Sequence, residues 1–140
     1  MTRKTKIAFD VGGVLSKYPA IFRPLVAALQ ASADVEVWIL TDMSNPQKVR
    51  ETLALNGFDF PLERIVCADY ETYGEACKSV LLEQLEIDVF VDDMPFYLAQ
   101  GAPVRLQLLP DLTRPYYHDS WQIPGETGDF GRRKAHHSGD

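Results

Sequence analysis

The chain reads as an α/β/α domain in three layers, built on a five-stranded and mainly parallel sheet. Three observations predict this. Apolar runs of strand length recur from residue 7 to residue 109, each of the first four is followed by a segment of helical character, and turn signals separate the two kinds of segment. Strands joined by helix-length crossovers lie parallel, with helices on both faces. At 140 residues, 46% of them hydrophobic, the chain suits one domain with a real core and is short for two. Residues 1–124 are read as that domain and residues 125–140 as a flexible C-terminal tail.

The first strand, Ile7-Ala8-Phe9, ends on Asp10, and Gly12 and Gly13 give a sharp turn whose backbone can approach a ligand. Residues 16–22 connect to a helix with Pro24 in its first turn and Phe22, Leu25, Val26 and Leu29 on its apolar face, ending near Ser32. Residues 35–40 form a second strand, stopped by Thr41-Asp42-Met43-Ser44. Asn45-Pro46 then caps a helix that Asn56-Gly57 terminates. Residues 64–67 make a third strand, and Thr72-x-x-Glu75 is a capping box opening a helix to about Leu85, with Cys77, Leu81 and Leu85 at helical spacing. Residues 88–91 are a fourth strand running into Asp92-Asp93-Met94-Pro95. A short helical segment to Gln100-Gly101 leads to a fifth strand over 104–109. Beyond Pro110 the pattern gives way to Pro, Tyr and polar residues, with Trp121 expected to tuck back onto the domain.

Composition narrows the functional classes. Net charge is −6, and the one basic run is Arg132-Arg133-Lys134, so nothing calls for duplex nucleic acid or an anionic membrane surface; an acidic body suits cations. Two cysteines, Cys67 and Cys77, give neither a disulfide framework nor a metal pattern and read as reduced thiols. His136-His137 lies in a Gly/Ser-flanked terminus and reads as solvated. Residues 1–6 carry no signal-peptide apolar core and no segment is long enough to span a bilayer, which predicts the cytoplasm.

Ligands of open α/β sheets bind at the carboxyl ends of the strands. The first strand delivers Asp10 there, the second Thr41, and the fourth Asp92 and Asp93. Lys78, in the early turns of the third helix, lies on the same edge. Carboxylates with one hydroxyl and one ammonium suit a hard divalent cation, Mg²⁺, holding a phosphate: the carboxylates ligate the metal while Thr41 and Lys78 bind phosphoryl oxygens. As polar groups on an open edge, Thr41 and Lys78 are expected to serve the ligand rather than the fold.

Four motifs in this order resemble the haloacid dehalogenase-like hydrolases: Asp10-Val-Gly-Gly-Val-Leu15, the Ile39-Leu40-Thr41 strand end, Lys78 ahead of the fourth strand, and Val89-Phe-Val-Asp-Asp93. The resemblance implies a Rossmann-like sheet, Asp10 as a nucleophile forming an aspartyl-phosphate, and Thr41, Asp42, Lys78 and Gly12 around the phosphate. It implies Mg²⁺ held by Asp10, the Gly12 carbonyl and Asp92, with Asp93 as ligand or close support. The Asp-Asp-Met-Pro turn and Ser120-Trp121 look most like the small deoxyribonucleotidase-type members. The connection after Leu15 leaves no room for a cap domain, so the site is expected to be open. The implied partner is a phosphorylated substrate, a small molecule such as a nucleotide, or something larger.

One departure stands out. The family's phosphatases usually carry Asp two residues after the nucleophile, where it protonates the leaving oxygen; here that position is Gly12. Loss of a general acid–base group costs ~10²–10⁴ in rate. Asp42 and Tyr18 are candidate substitutes, and an aspartate restored at position 12 is expected to speed turnover. The readings left are a slow or specialised Mg²⁺-dependent phosphatase, a non-catalytic phosphate-binding descendant, and a receiver-type phospho-acceptor. Receivers end their first strand on an acidic pair and their third on the acceptor, an order this chain does not have.

Overall fold

β1 (Thr5–Phe9) forms the middle of a five-stranded sheet of order β3-β2-β1-β4-β5 in which every pairing is parallel. The other strands are β2 (Val35–Thr41), β3 (Ile65–Cys67), β4 (Val89–Asp92) and β5 (Val104–Gln107). The computed structural model describes residues 3–98, 100–109 and 111–125. The chain winds outward from β1 through β2 to β3, then returns past β1 to build β4 and β5. The strand order therefore reverses between β1 and β4, and a crevice opens at their carboxyl ends.

Side chains alternate across each strand and feed two cores. On one face Phe9, Ile39 and Val91 pack with Phe22 and Val26 of α1 (Pro19–Ala31) and with Val49 and Leu53 of α2 (Pro46–Leu55). On the other, Ala8, Leu40 and Phe90 pack with Cys77 and Leu82 of α4 (Cys77–Gln84) and with Tyr97. Full burial of each large apolar side chain contributes about 1.5–3 kcal/mol. The three-layer expectation holds, and the sheet is wholly rather than mainly parallel. No helix among the described residues is long and apolar enough to cross a membrane.

Several element boundaries differ from the sequence reading. α1 begins at Pro19, so Pro24 lies inside the helix rather than in its first turn, and Leu25 faces solvent while Phe22 and Val26 are buried. Val11–Leu15 closes into a wide π-type turn, with the Ser16 N–H donating to the Val11 carbonyl at 3.0 Å, which lets the helix start early. The Thr72-x-x-Glu75 capping box does not form. Asp69 caps a single turn, α3 (Tyr70–Tyr73), by accepting from the Thr72 N–H at 3.1 Å, and Gly74 at φ 61° breaks the chain before α4. Asn45 caps α2 as expected, through the Lys48 N–H. β5 is shorter than read and all four of its residues are exposed, because it is an edge strand.

The segment over residues 111–123 returns across the domain as a strap. The His118 N–H donates to the Ser16 carbonyl at 2.7 Å, Trp121 packs 6.1 Å from Phe58 between ring centres, and the Asn56 amide both donates to and accepts from the backbone of Gln122 at 2.7 Å. The expectation for Trp121 thus holds. Residues 126–140, with the basic run and His136-His137, lie outside the described residues.

Candidate functional site

Parallel register sets the site. Phe9 pairs with Val91, so the next residue of each strand path, Asp10 and Asp92, stands level across the point where strand order reverses. The Asp10 N–H donates to the Val91 carbonyl at 3.1 Å, fixing the first carboxylate against β4. Asp93 follows at once, and one oxygen from each of Asp10, Asp92 and Asp93 lies within 4.8 Å of the others. Lys78 reaches this cluster from the second residue of α4. Its Nζ is 2.7 Å from Asp92 Oδ2 and 3.1 Å from Asp10 Oδ1, and Lys78 and Asp92 are each 0% exposed.

Lys78 is therefore not the surface group the sequence suggested. It bridges two buried carboxylates, and the Tyr97 ring, its centre 4.2 Å from Nζ, covers its side. The physical reason is that α4 is packed against the sheet at its first turn, where Cys77, Lys78 and Ser79 are all buried. Thr41 is buried too, its Oγ1 accepting from the Met43 N–H at 3.2 Å and its own proton left as a donor. Asp42, expected on the phosphate, accepts from the Tyr97 hydroxyl at 2.9 Å.

The electrostatics follow from burial. Desolvation first, then the Asp92 charge, push the Asp10 carboxyl well above the ordinary carboxylate range, against the pull of Lys78. The same two causes push Asp93 up to about 7. Burial alone would lower the Lys78 ammonium, but Asp10 and Asp92 raise it above its ordinary value. In this cluster the buried Asp93 Oδ1 has no hydrogen-bond partner among the described residues. Three converging carboxylates with an unsatisfied oxygen fit a hard divalent cation, which would satisfy that oxygen and hold all three ionised.

The glycines explain how the turn fits. Gly13 has φ +77°, and a Cβ there would lie 2.2 Å from Asp93 Oδ2, so both the backbone angle and the carboxylate require glycine. Gly12 has an ordinary φ of −67°, yet a Cβ there would lie 2.4 Å from the Tyr116 hydroxyl oxygen. The strap thus lays a phenol on the turn, and only Ser16–Tyr18 separate that turn from α1. Burial, then the charges of Asp10, Asp93 and Asp42, hold the Tyr116 phenol well above its ordinary range, that is, protonated.

No protein family, curated protein or solved structure matches this chain. The geometry alone carries its chemistry.

Three participants were invisible to sequence reasoning. Tyr97 shields Lys78 and holds Asp42; its only signal was an aromatic pair just past the Asp-Asp-Met-Pro turn. Tyr116 comes from a stretch whose one signal was Tyr116-Tyr117 after a proline. Ser16 ties turn to strap, its Oγ accepting from the Gly13 N–H at 3.1 Å and donating to the Tyr116 carbonyl at 3.2 Å. Of the candidate acid–base substitutes, Tyr18 precedes α1 with its ring 5.8 Å from the Arg114 guanidinium, and Asp42 is tied to Tyr97.

Proposed function

We propose that this chain is a Mg²⁺-dependent phosphomonoester hydrolase of the haloacid dehalogenase-like kind, acting through a phosphoryl group carried on Asp10. The observation behind this reading is the lysine-bridged carboxylate cluster at the strand-order reversal: three aspartates within 4.8 Å and an ammonium between two of them. A nucleophilic carboxylate must be ionised, whereas burial and Asp92 push Asp10 toward protonation. Lys78 opposes that push, and Asp10, Asp92 and Asp93 would hold Mg²⁺, which when bound would favour the ionised carboxylates and neutralise phosphoryl oxygens. The Asp10 carboxylate then attacks phosphorus as the ester P–O bond breaks, the departing oxygen taking the electron pair and a proton from solvent, and water later cleaves the acyl phosphate to return the Asp10 carboxylate and release inorganic phosphate. Lys78 retains one N–H for a phosphoryl oxygen beyond those directed at Asp10 and Asp92, and Thr41 contributes its hydroxyl proton.

A second reading, a phosphate-binding protein without turnover, draws support from Tyr116 lying against Gly12, where the family's acid–base aspartate would stand. A panel of phosphomonoesters assayed with Mg²⁺ and with chelator, using Asp10→Asn as the blank, separates the two. Turnover lost in Asp10→Asn supports the hydrolase. Phosphate binding without turnover favours the second reading, and turnover that survives Asp10→Asn overturns the role of Asp10.

A further inference from the structure

The strap forms one wall of a surface pocket beside the turn that leads from Asp10. Its volume is about 180 Å³, and Lys17, Arg114, Pro115, His118 and Asp119 line it. Lys17 is the unusual member: it is only 6% exposed, yet it makes no hydrogen bond or ion pair among the described residues. Its Nζ lies 6.0 Å from the centre of the Tyr18 ring, and the Asp111 carboxylate attracts it without forming an ion pair. The side chain is buried along its length while its ammonium lines the pocket without a protein partner among the described residues, which leaves its N–H donors to a ligand there.

The neighbours suit an anion. The Arg114 guanidinium lies 5.8 Å from the same Tyr18 ring, so one aromatic side chain holds two cations at this pocket. The Ser120 N–H donates to His118 Nδ1 at 3.0 Å, which leaves Nε2 as the ring's N–H donor in the neutral tautomer. Asp119 is exposed, and Asp111 is already engaged by Arg114 at 3.3 Å. The pocket shares its supports with the carboxylate cluster, because Ser16 binds both the Gly13 N–H and the Tyr116 carbonyl, and Tyr116 packs on Gly12 between the pocket residues Pro115 and His118.

We propose that Lys17, Arg114 and His118 form an anion subsite that receives a second negatively charged group, a carboxylate or phosphate, of a phosphomonoester whose first phosphate occupies the Asp10 site. This rests on the proposed hydrolase reading for the identity of the first site, though not for the existence of the second. The substrate class is thus a doubly anionic phosphomonoester rather than one with a neutral tail.

Two arms test it. In the first, the whole chain is titrated with sodium sulfate while backbone amide shifts are followed by NMR. Saturable shifts at Lys17 and across Arg114, His118 and Asp119 are expected, with binding weakened about tenfold or more in Lys17→Met, in line with loss of one charge-assisted hydrogen bond. Arg114→Gln, at an exposed side chain, gives a second variant that does not depend on a buried position. No saturable shift at these amides, or one unchanged in both variants, overturns the subsite. In the second, phosphomonoesters bearing a carboxylate or second phosphate at graded distances are compared with neutral-tailed analogues. A kcat/KM preference for the doubly anionic compounds that shrinks toward unity in Lys17→Met supports the assignment. Sulfate binding with no such preference in an active enzyme overturns the substrate role. Sulfate binding with no turnover of any compound leaves the anion subsite standing and removes the hydrolase reading instead.

Discussion

Lys78 concentrates the energetics of the site in one side chain. Its ammonium stands between Asp10 and Asp92 with no exposure, so removing it leaves two buried carboxylates facing each other. Lys78→Met should therefore destabilise the metal-free protein by about 3 kcal/mol or more at neutral pH, as expected when one partner of a buried ion pair is removed. Chemical denaturation measures this, and the loss should shrink near pH 5, where a carboxyl can take up the missing positive charge as a proton. An unchanged midpoint would mean that the ammonium does not hold the cluster together. Asp93 makes a second prediction at the same scale. Its folded carboxyl is pushed up to about 7, against about 3.9 in an unfolded chain, so the folded state holds the proton more tightly. Its contribution is fully present below about pH 4 and fades as pH rises to about 7. Without divalent cation, stability should fall across that window, and Asp93→Asn should flatten the fall.

At the scale of elements, the strap and the turn constrain each other. Tyr116 fills the space that any side chain at position 12 needs, so a carboxylate placed there does not simply restore an acid–base group. Gly12→Asp alone should lower the melting temperature and add little turnover. Combined with Tyr116→Ala it should regain stability and, if the hydrolase reading holds, exceed the wild-type rate by about tenfold or more. Additive stability effects in the double-mutant cycle would show that the two residues do not compete for space. The boundary differences from the sequence reading have local causes. Pro24 is a familiar first-turn signal, but the π-type turn over Val11–Leu15 pulls the start of α1 back to Pro19. Thr72 and Glu75 have capping-box spacing, yet Asp69 already satisfies the Thr72 N–H.

For the whole molecule, the carboxyl ends of β1 and β4 lie side by side because these strands pair in parallel, and the reversal of sheet order between them opens a crevice there. A cation held there binds the folded state alone, so Mg²⁺ at a hundredfold excess over its dissociation constant should stabilise the protein by about 2.7 kcal/mol. The gain should be larger at pH 8 than at pH 5, since the cation competes with protons on Asp10 and Asp93. Asp93→Asn should reduce it without disturbing the Lys78 bridge. A melting temperature indifferent to millimolar Mg²⁺ at both pH values would count against a cation site.

Much of this was legible in the chain itself. Alternating apolar runs and helical segments determine a parallel sheet with helices on both faces, because burial of apolar surface is read directly from spacing. Asp10, Thr41, Asp92 and Asp93 could be assigned to one edge because strands carry their final residues to a common end. The tertiary structure decided what depends on contacts between distant segments. That Lys78 is a buried bridge follows from how tightly α4 lies on the sheet. That Tyr116 covers Gly12 follows from a return path that no local pattern encodes, since residues about a hundred positions apart meet only after the core has formed. Periodicity specifies which face of an element is buried, whereas the partner against that face is chosen by packing of the whole chain.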